Sequence, residues 1–167
     1  MQQPLFIVRP ASTADLACLV ELRAQLIEGT NASYSSKTPE DSTRWRAAYR
    51  GWLISHLSES DSVQIVAAEH KLSGQVLGCA TAIIDQRAPA PNCLNGLSGW
   101  IQSVVVESQW RNLGIARQMM QHLLRWFANR GVTAVVLQST KVADSLYQDL
   151  GFIRSDESLM IRQETLP

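Results

Sequence analysis

The stretch Val104-Val-Val-Glu-Ser-Gln-Trp-Arg-Asn-Leu-Gly-Ile-Ala116 decides the reading of this chain. Its β-branched opening predicts a strand, and a short polar turn follows. Arg111-Asn112-Leu113-Gly114-Ile115-Ala116 then opens an amphipathic helix. A strand, turn and helix in this order leave several backbone N–H groups unpaired at the first helical turn, with the helix dipole behind them. Such a nest suits a pyrophosphate. Gly114 lets the backbone approach a phosphate with no Cβ in the way, and Ala116 nearly does the same.

Composition narrows the choices. A chain of 167 residues suits one domain spanning residues 1–167, burying roughly two-thirds of its surface on folding. Apolar residues make up 46%, enough for a core and too many for a disordered chain. Fifteen basic residues balance fifteen acidic ones, so general attraction to nucleic acid or an anionic membrane is excluded and phosphate affinity must be local. The three cysteines, Cys18, Cys79 and Cys93, are widely spaced with no C-x-x-C pair. Cys18 and Cys79 lie in apolar surroundings and read as buried, inert thiols. No metal site is expected. No signal peptide or apolar run of about eighteen residues appears, and the expected location is the cytoplasm.

Working outward from the motif, Leu5 to Val8 predicts a first strand, and Ser12-Thr-Ala-Asp15 a capping box. Leu16, Leu19, Val20, Arg23, Leu26 and Ile27 follow at helical spacing up to Gly29. Gly29 to Lys37 is a polar loop. Thr38-Pro39-Glu40-Asp41 starts a second helix with a cap, a proline at its first position and two acids at its positive end. Gln64–Ala68 and Gln75–Ile84 form a hairpin, Arg87–Gly99 a loop, and Trp100–Val106 the fourth strand. The motif helix closes at Asn129-Arg130-Gly131. Thr133–Gln138 is a fifth strand and Val142–Leu150 a short helix, with closing strands expected at Phe152-Ile153 and Leu159–Arg162. The fourth strand, motif helix and fifth strand make a right-handed parallel unit. An antiparallel hairpin precedes it, so the class is α/β (α+β), a mixed sheet covered by helices on both faces.

Three segments in register then resemble one family. The spacing Arg/Gln-x-x-Gly-x-Gly/Ala at Arg111–Ala116 resembles the acetyl-coenzyme-A loop of the GNAT superfamily of N-acetyltransferases. Ala143-Asp-Ser-Leu-Tyr147-Gln-Asp-Leu-Gly151-Phe152 is similar to its closing signature, and Val8-Arg9-Pro10-Ala11 with Asp15-Leu16 and Leu22-Arg23 to its opening. The resemblance implies the GNAT fold, mostly antiparallel with a splayed parallel pair of strands, and acetyl-coenzyme A as co-substrate. It implies that backbone amides from Arg111 through Asn112, Leu113, Gly114, Ile115, Ala116 and Arg117 cradle the pyrophosphate. Arg111 and Arg117 then either add charge to the phosphates or stay solvated. It further implies that Val104, Val105 and Val106 line the pantetheine arm, with the backbones of Val104 and Val106 bonding it. Tyr147 becomes the general acid for the departing thiolate, which a phenol of pKa about 10 suits, unless it only packs under its helix.

Two departures stand out. Thr140 occupies the position seven residues before the tyrosine where many relatives carry asparagine; its hydroxyl would have to serve in that residue's place. The carboxylate that relatives often keep on the fourth strand as general base has no counterpart in Trp100-Ile-Gln-Ser103. Ser103, Asp85, Glu28 and His56 are conceivable proton acceptors, and none is assigned. The Gly29–Lys37 segment, the second helix and the Arg87–Gly99 loop should wall the acceptor site. They bring Tyr34, Trp45, Tyr49, Trp52 and Trp100 and few acids. The expected partner is a small-molecule, amino-acid or peptide amine, with a homodimer allowed. Alternatives left open are a different acyl-coenzyme A and a coenzyme-A-binding regulator without catalysis.

Overall fold

The computed structural model describes residues 5–163 except Glu59. Its elements in chain order are β1 (Phe6–Pro10), α1 (Leu16–Ile27), α2 (Pro39–His56), β2 (Val63–His70), β3 (Val76–Gln86), β4 (Leu97–Val106), α3 (Ile115–Ala128), β5 (Ala134–Leu137) and α4 (Asp144–Asp149). The strands form one sheet in the order β1-β2-β3-β4-β5. The first three pairings are antiparallel and β4–β5 is parallel. The mixed sheet predicted from the right-handed unit and its preceding hairpin is therefore present.

Local signals place the helices. A 3₁₀ turn over Thr13–Asp15 leads into α1. There Asp15 Oδ2 accepts from the Ser12 backbone N–H at 2.8 Å and from Arg9 Nη1 at 2.7 Å. Arg9 and the Ser12 amide hold the Asp15 carboxyl below the usual carboxylate range against the cost of its burial. At the start of α2, Thr38 Oγ1 accepts from the Asp41 N–H at 3.1 Å and Asp41 Oδ2 accepts from the Thr38 N–H at 3.2 Å, with Pro39 at the first helical position.

The sheet has two covered faces. α3 buries Ile115, Met119, Met120, Leu123, Trp126 and Phe127 against one, each such side chain contributing ~1.5–3 kcal/mol of transfer free energy. The approach is close enough that a Cβ on Gly99 of β4 would stand 2.8 Å from the Phe127 ring. α1 and α2 cover the other face through Leu19, Leu22, Tyr49 and Leu53. No helix among the described residues is long and apolar enough to cross a membrane.

Two expectations fail. Cys18 is exposed, whereas Cys79 and Cys93 are buried. Position 18 falls on the outer side of α1, between buried Leu19 and exposed Ala17, so its apolar neighbours in sequence are not its neighbours in space. Neither closing strand forms at Phe152-Ile153 or Leu159–Arg162. After α4 the Phe152 N–H bonds the Tyr147 carbonyl at 3.0 Å, turning the chain away. Arg154 then pairs with Asp144, and Ile153 and Met160 remain 91% exposed. These apolar residues find no sheet face to bury.

Candidate active site

β4 carries the feature that creates the site. β5 pairs only with Ser98–Ile101, so Gln102–Val106 have no strand partner on that side. On its other side, β4 inserts one extra residue opposite β3, between the pairs Thr81–Gln102 and Cys79–Val105. Ser103 sits at this bulge with φ +57°, a conformation that few residues other than glycine adopt. The bulge shifts the side-chain alternation. Ile101, Val104 and Val106 all join the α3-side core, while Val105 packs with α1 and α2.

A groove of about 500 Å³ opens beside the free edge of β4, between the start of α3 and α4. At its end the N–H groups of Asn112 through Arg117 have no acceptor among the described residues. Asn112 and Gly114 have φ +62° and +80°. These left-handed residues turn consecutive amides into one concavity, backed by the dipole of α3. At Gly114 a Cβ would meet no protein atom within 4 Å; it would point into open space. Six successive unpaired amides at a helix N-terminus fit a pyrophosphate.

Of the residues named from sequence, Val104, Val106, Arg111, Asn112, Gly114, Ile115, Ala116, Arg117 and Tyr147 line this groove. Val105 faces the opposite core, Leu113 is exposed, and Thr140 is outside the groove wall, its carbonyl accepting from the Ala143 N–H at 2.9 Å. Two arginines have local partners. Arg111 Nε donates to the Val106 carbonyl at 3.1 Å, so that one β4 carbonyl is already bonded. Arg117 Nη2 donates to Asp149 Oδ2 at 2.7 Å, bridging α3 and α4. Trp110, Val142, Ala143, Ser145, Leu146 and Asp149 complete the walls. Their places in the turn and on α4 were visible, but nothing in their spacing marked them.

Tyr147 is 8% exposed and packs edge-on to Phe152 at 6.0 Å. Its ring belongs to the core and its hydroxyl hydrogen-bonds no described residue. Burial pushes its phenol above the ordinary value. The group therefore stays protonated at neutral pH and has a proton to give.

On the other face of β4 lies a second, larger space. An open pocket of about 700 Å³ lies between α1, the following loop and α2. A smaller one of about 260 Å³ adjoins it, the two sharing Arg23, Ile27, Tyr34 and Gln102 as walls. Trp45, Tyr49 and Trp52 line the larger and Trp100, Ser103 and Gln138 the smaller. Arg23 donates to Ser103 Oγ and lies 4.6 Å over the Tyr49 ring. Sequence reading placed Arg23 on the apolar stripe of α1 without giving it a role. A cation at that spacing among Leu19, Leu22 and Leu26 was the available signal. The Arg87–Gly99 loop walls neither cavity; it is tied to the far end of α3, where Asn95 Nδ2 donates to the Gly131 carbonyl at 2.7 Å.

The suggested proton acceptors fare unevenly. Ser103 is at the site. Asp85 lines neither cavity and pairs with Arg87. His56 stacks on Trp52 at 4.4 Å, with Nδ1 against the Trp52 carbonyl. Hydrogen bonds from Arg46 and Ser42 hold Glu28 down to about 2, which makes it a weak base. Burial pushes the Cys79 thiol up to about 12, so it remains a thiol. No cluster of three or more metal-ligating side chains occurs among the described residues.

The arrangement is that of an acyl-coenzyme-A transferase, and the family is shown by sequence. Residues 24–152 match the model of the Acetyltransferase (GNAT) family, and the chain belongs to that family. No curated protein matches it. Among solved structures it is similar to a GCN5-related N-acetyltransferase from Ralstonia eutropha, with TM-score 0.78 and 21% identity over 94% of this chain and 98% of that one. It is also similar to a predicted acetyltransferase with acetyl-CoA from Clostridium acetobutylicum, with TM-score 0.72 and 21% identity over 94% and 96%. A third is glucosamine-6-phosphate N-acetyltransferase from Arabidopsis thaliana, at TM-score 0.66 and 23% identity over 95% and 97%. These likenesses establish the GNAT fold.

Proposed function

We propose that the chain transfers an acetyl group from acetyl-coenzyme A to an amine by direct attack on the thioester. One observation supports this reading above the others. Val104 lines the groove with the amide nest and Ser103 lines the smaller cavity beside α1, and the two are consecutive residues on the part of β4 that β5 leaves unpaired. A donor lying along one side and an acceptor entering from the other would meet there.

The chain's part is mostly positional. Amides of Asn112–Arg117 hold the pyrophosphate, and the free edge of β4 aligns the pantetheine arm strand-fashion. Holding both reactants at that junction makes the attack effectively unimolecular. The amine must arrive neutral, and no carboxylate on the cavity wall among the described residues is without a hydrogen-bond partner. The wall's one carboxylate, Asp41, is spent on the N-terminus of α2. The proton therefore leaves to water. As the new C–N bond forms and the C–S bond breaks, Tyr147 gives its phenolic proton to the departing thiolate and recovers one from solvent.

Calorimetric titration with acetyl-coenzyme A, followed by an amine panel monitored for thiol release, tests the reading. Saturable binding and release of free thiol with at least one amine are expected. No binding at millimolar acetyl-coenzyme A would overturn it.

A further inference from the structure

We infer that the acceptor is an amine that also bears an anionic group, carboxylate or phosphate, and that Arg23 recognises that group. The inference rests on the transferase reading and names the substrate class of the same site.

The cavity is biased toward anions. Arg23 lines both of its chambers and has no carboxylate partner among the described residues. Its guanidinium has five N–H donors, and Ser103 Oγ takes Nη1. The guanidinium lies over the Tyr49 ring, and a planar fork of this kind can bind a carboxylate or phosphate with two parallel hydrogen bonds. Arg44, also on the wall, is likewise without an ion pair among the described residues.

Local acids offset these cations only in part. Asp41 Oδ2 accepts from the Lys37 and Thr38 N–H groups, both at 3.2 Å. Glu28 is bound by Arg46 Nε at 2.8 Å and Nη2 at 3.0 Å, and Glu21 by Arg46 Nη1 at 2.6 Å. A polycationic acceptor would meet two arginines against the single carboxylate of Asp41. An anionic acceptor would find Arg23 beside the reacting edge of β4, because the Ser103 that holds Arg23 is next to Val104 of the donor groove. This places the anion close to the amine and leaves the rest of the molecule to the aromatic wall of Trp45, Tyr49 and Trp52.

Matched pairs that differ only in the anion test this: phenylalanine against phenylalanine amide, and glucosamine 6-phosphate against glucosamine. Thiol release from acetyl-coenzyme A gives kcat/KM for each. Quenching of tryptophan fluorescence, with Trp45 and Trp52 in the wall, gives binding independently of turnover. The anionic member of at least one pair should bind at least tenfold more tightly than its neutral partner, and the better pair tells carboxylate from phosphate. Arg23→Gln should erase that preference, and Arg23→Lys should restore part of it. Unchanged acetyl-coenzyme A affinity in both variants would show that they fold. Neutral members binding as well as anionic ones would overturn the inference, whatever the turnover. Failure of acetyl-coenzyme A to bind would instead overturn the transferase reading and leave the fluorescence comparison standing.

Discussion

The two sides of β4 are built from different materials. The donor groove is made of backbone: six unpaired amides, two left-handed residues and one free strand edge. Backbone recognises what all acyl-coenzyme A molecules share and is indifferent to most side chains. The acceptor cavity is made of side chains, Arg23 from α1, Tyr34 from the loop, the aromatic row of α2 and Gln102 of β4. Substitutions that separate chemistry, donor binding and acceptor binding therefore probe the contrast directly.

The largest effect is expected from Tyr147→Phe, which removes the only proton donor assigned at the junction while keeping the buried ring. kcat should fall by roughly 10²- to 10⁴-fold, the usual worth of a positioned acid, with acetyl-coenzyme A affinity unchanged. An unaltered kcat would remove the acid role and leave Tyr147 a core residue. The wild-type pH profile adds a second check. Burial raises the phenol, so the loss of rate from its ionisation belongs above pH 10, beyond its ordinary value. Below that, kcat/KM should climb with pH as the acceptor amine becomes neutral. A plateau near pH 7, set by a group other than the amine, would reveal an enzymic base.

Gly114→Val comes next. No protein atom would obstruct the new Cβ, so its costs are the left-handed backbone at φ +80°, ~1–2 kcal/mol of stability, and obstruction of the nest. Losing one charge-assisted hydrogen bond to phosphate, ~1.5–3 kcal/mol, weakens acetyl-coenzyme A binding by roughly 10- to 150-fold. Isothermal titration reads the loss directly. An Asn112→Ala change, which keeps its N–H, should do far less. Equal losses at both positions would mean that side chains, not amides, hold the donor.

Ser103→Gly tests the border. Glycine relieves the left-handed strain at the bulge but loosens the unfolded chain, so thermal stability should move by less than ~1 kcal/mol. The same change takes away the hydroxyl that anchors Arg23. Acceptor KM should rise a few-fold with donor affinity constant. A fall in donor affinity of similar size would show that the bulge serves the groove as well.

The contrast also explains what the sequence disclosed. A backbone-built site needs glycine and small residues at fixed spacing in one continuous stretch, so Arg111–Ala116 could be read directly, as could the capping box before α1 and the Thr38 cap of α2. The acceptor cavity is assembled from elements far apart in the chain, Arg23 and Ser103 being eighty residues apart, and no local pattern records such a meeting. The β4 bulge was equally hidden, because Ser103 takes a conformation its side chain does not announce. The Arg87–Gly99 loop looked like a specificity loop by composition, yet its contacts lie at the far end of α3. Phe152-Ile153 and Leu159–Arg162 were apolar enough to read as closing strands, but neither finds a sheet edge to pair with.

The smallest expected effect bears on a charged side chain that lines the donor groove. Arg117 was read either as a phosphate contact or as a solvated residue, and it is tied to Asp149 instead. The two side chains are 41% and 61% exposed, so the pair is worth no more than ~1 kcal/mol. Asp149→Asn frees the guanidinium beside the pyrophosphate nest. If Arg117 can turn to the phosphates, acetyl-coenzyme A should bind up to about threefold more tightly at low ionic strength. The gain should vanish above ~0.5 M salt, where the screening length is only a few ångströms. If the pair instead holds α4 against α3, the same variant will bind the donor normally and lose kcat, because Tyr147 lies on the helix that Asp149 anchors. The direction of the change thus separates a charge that reads the donor from a strut that positions the acid.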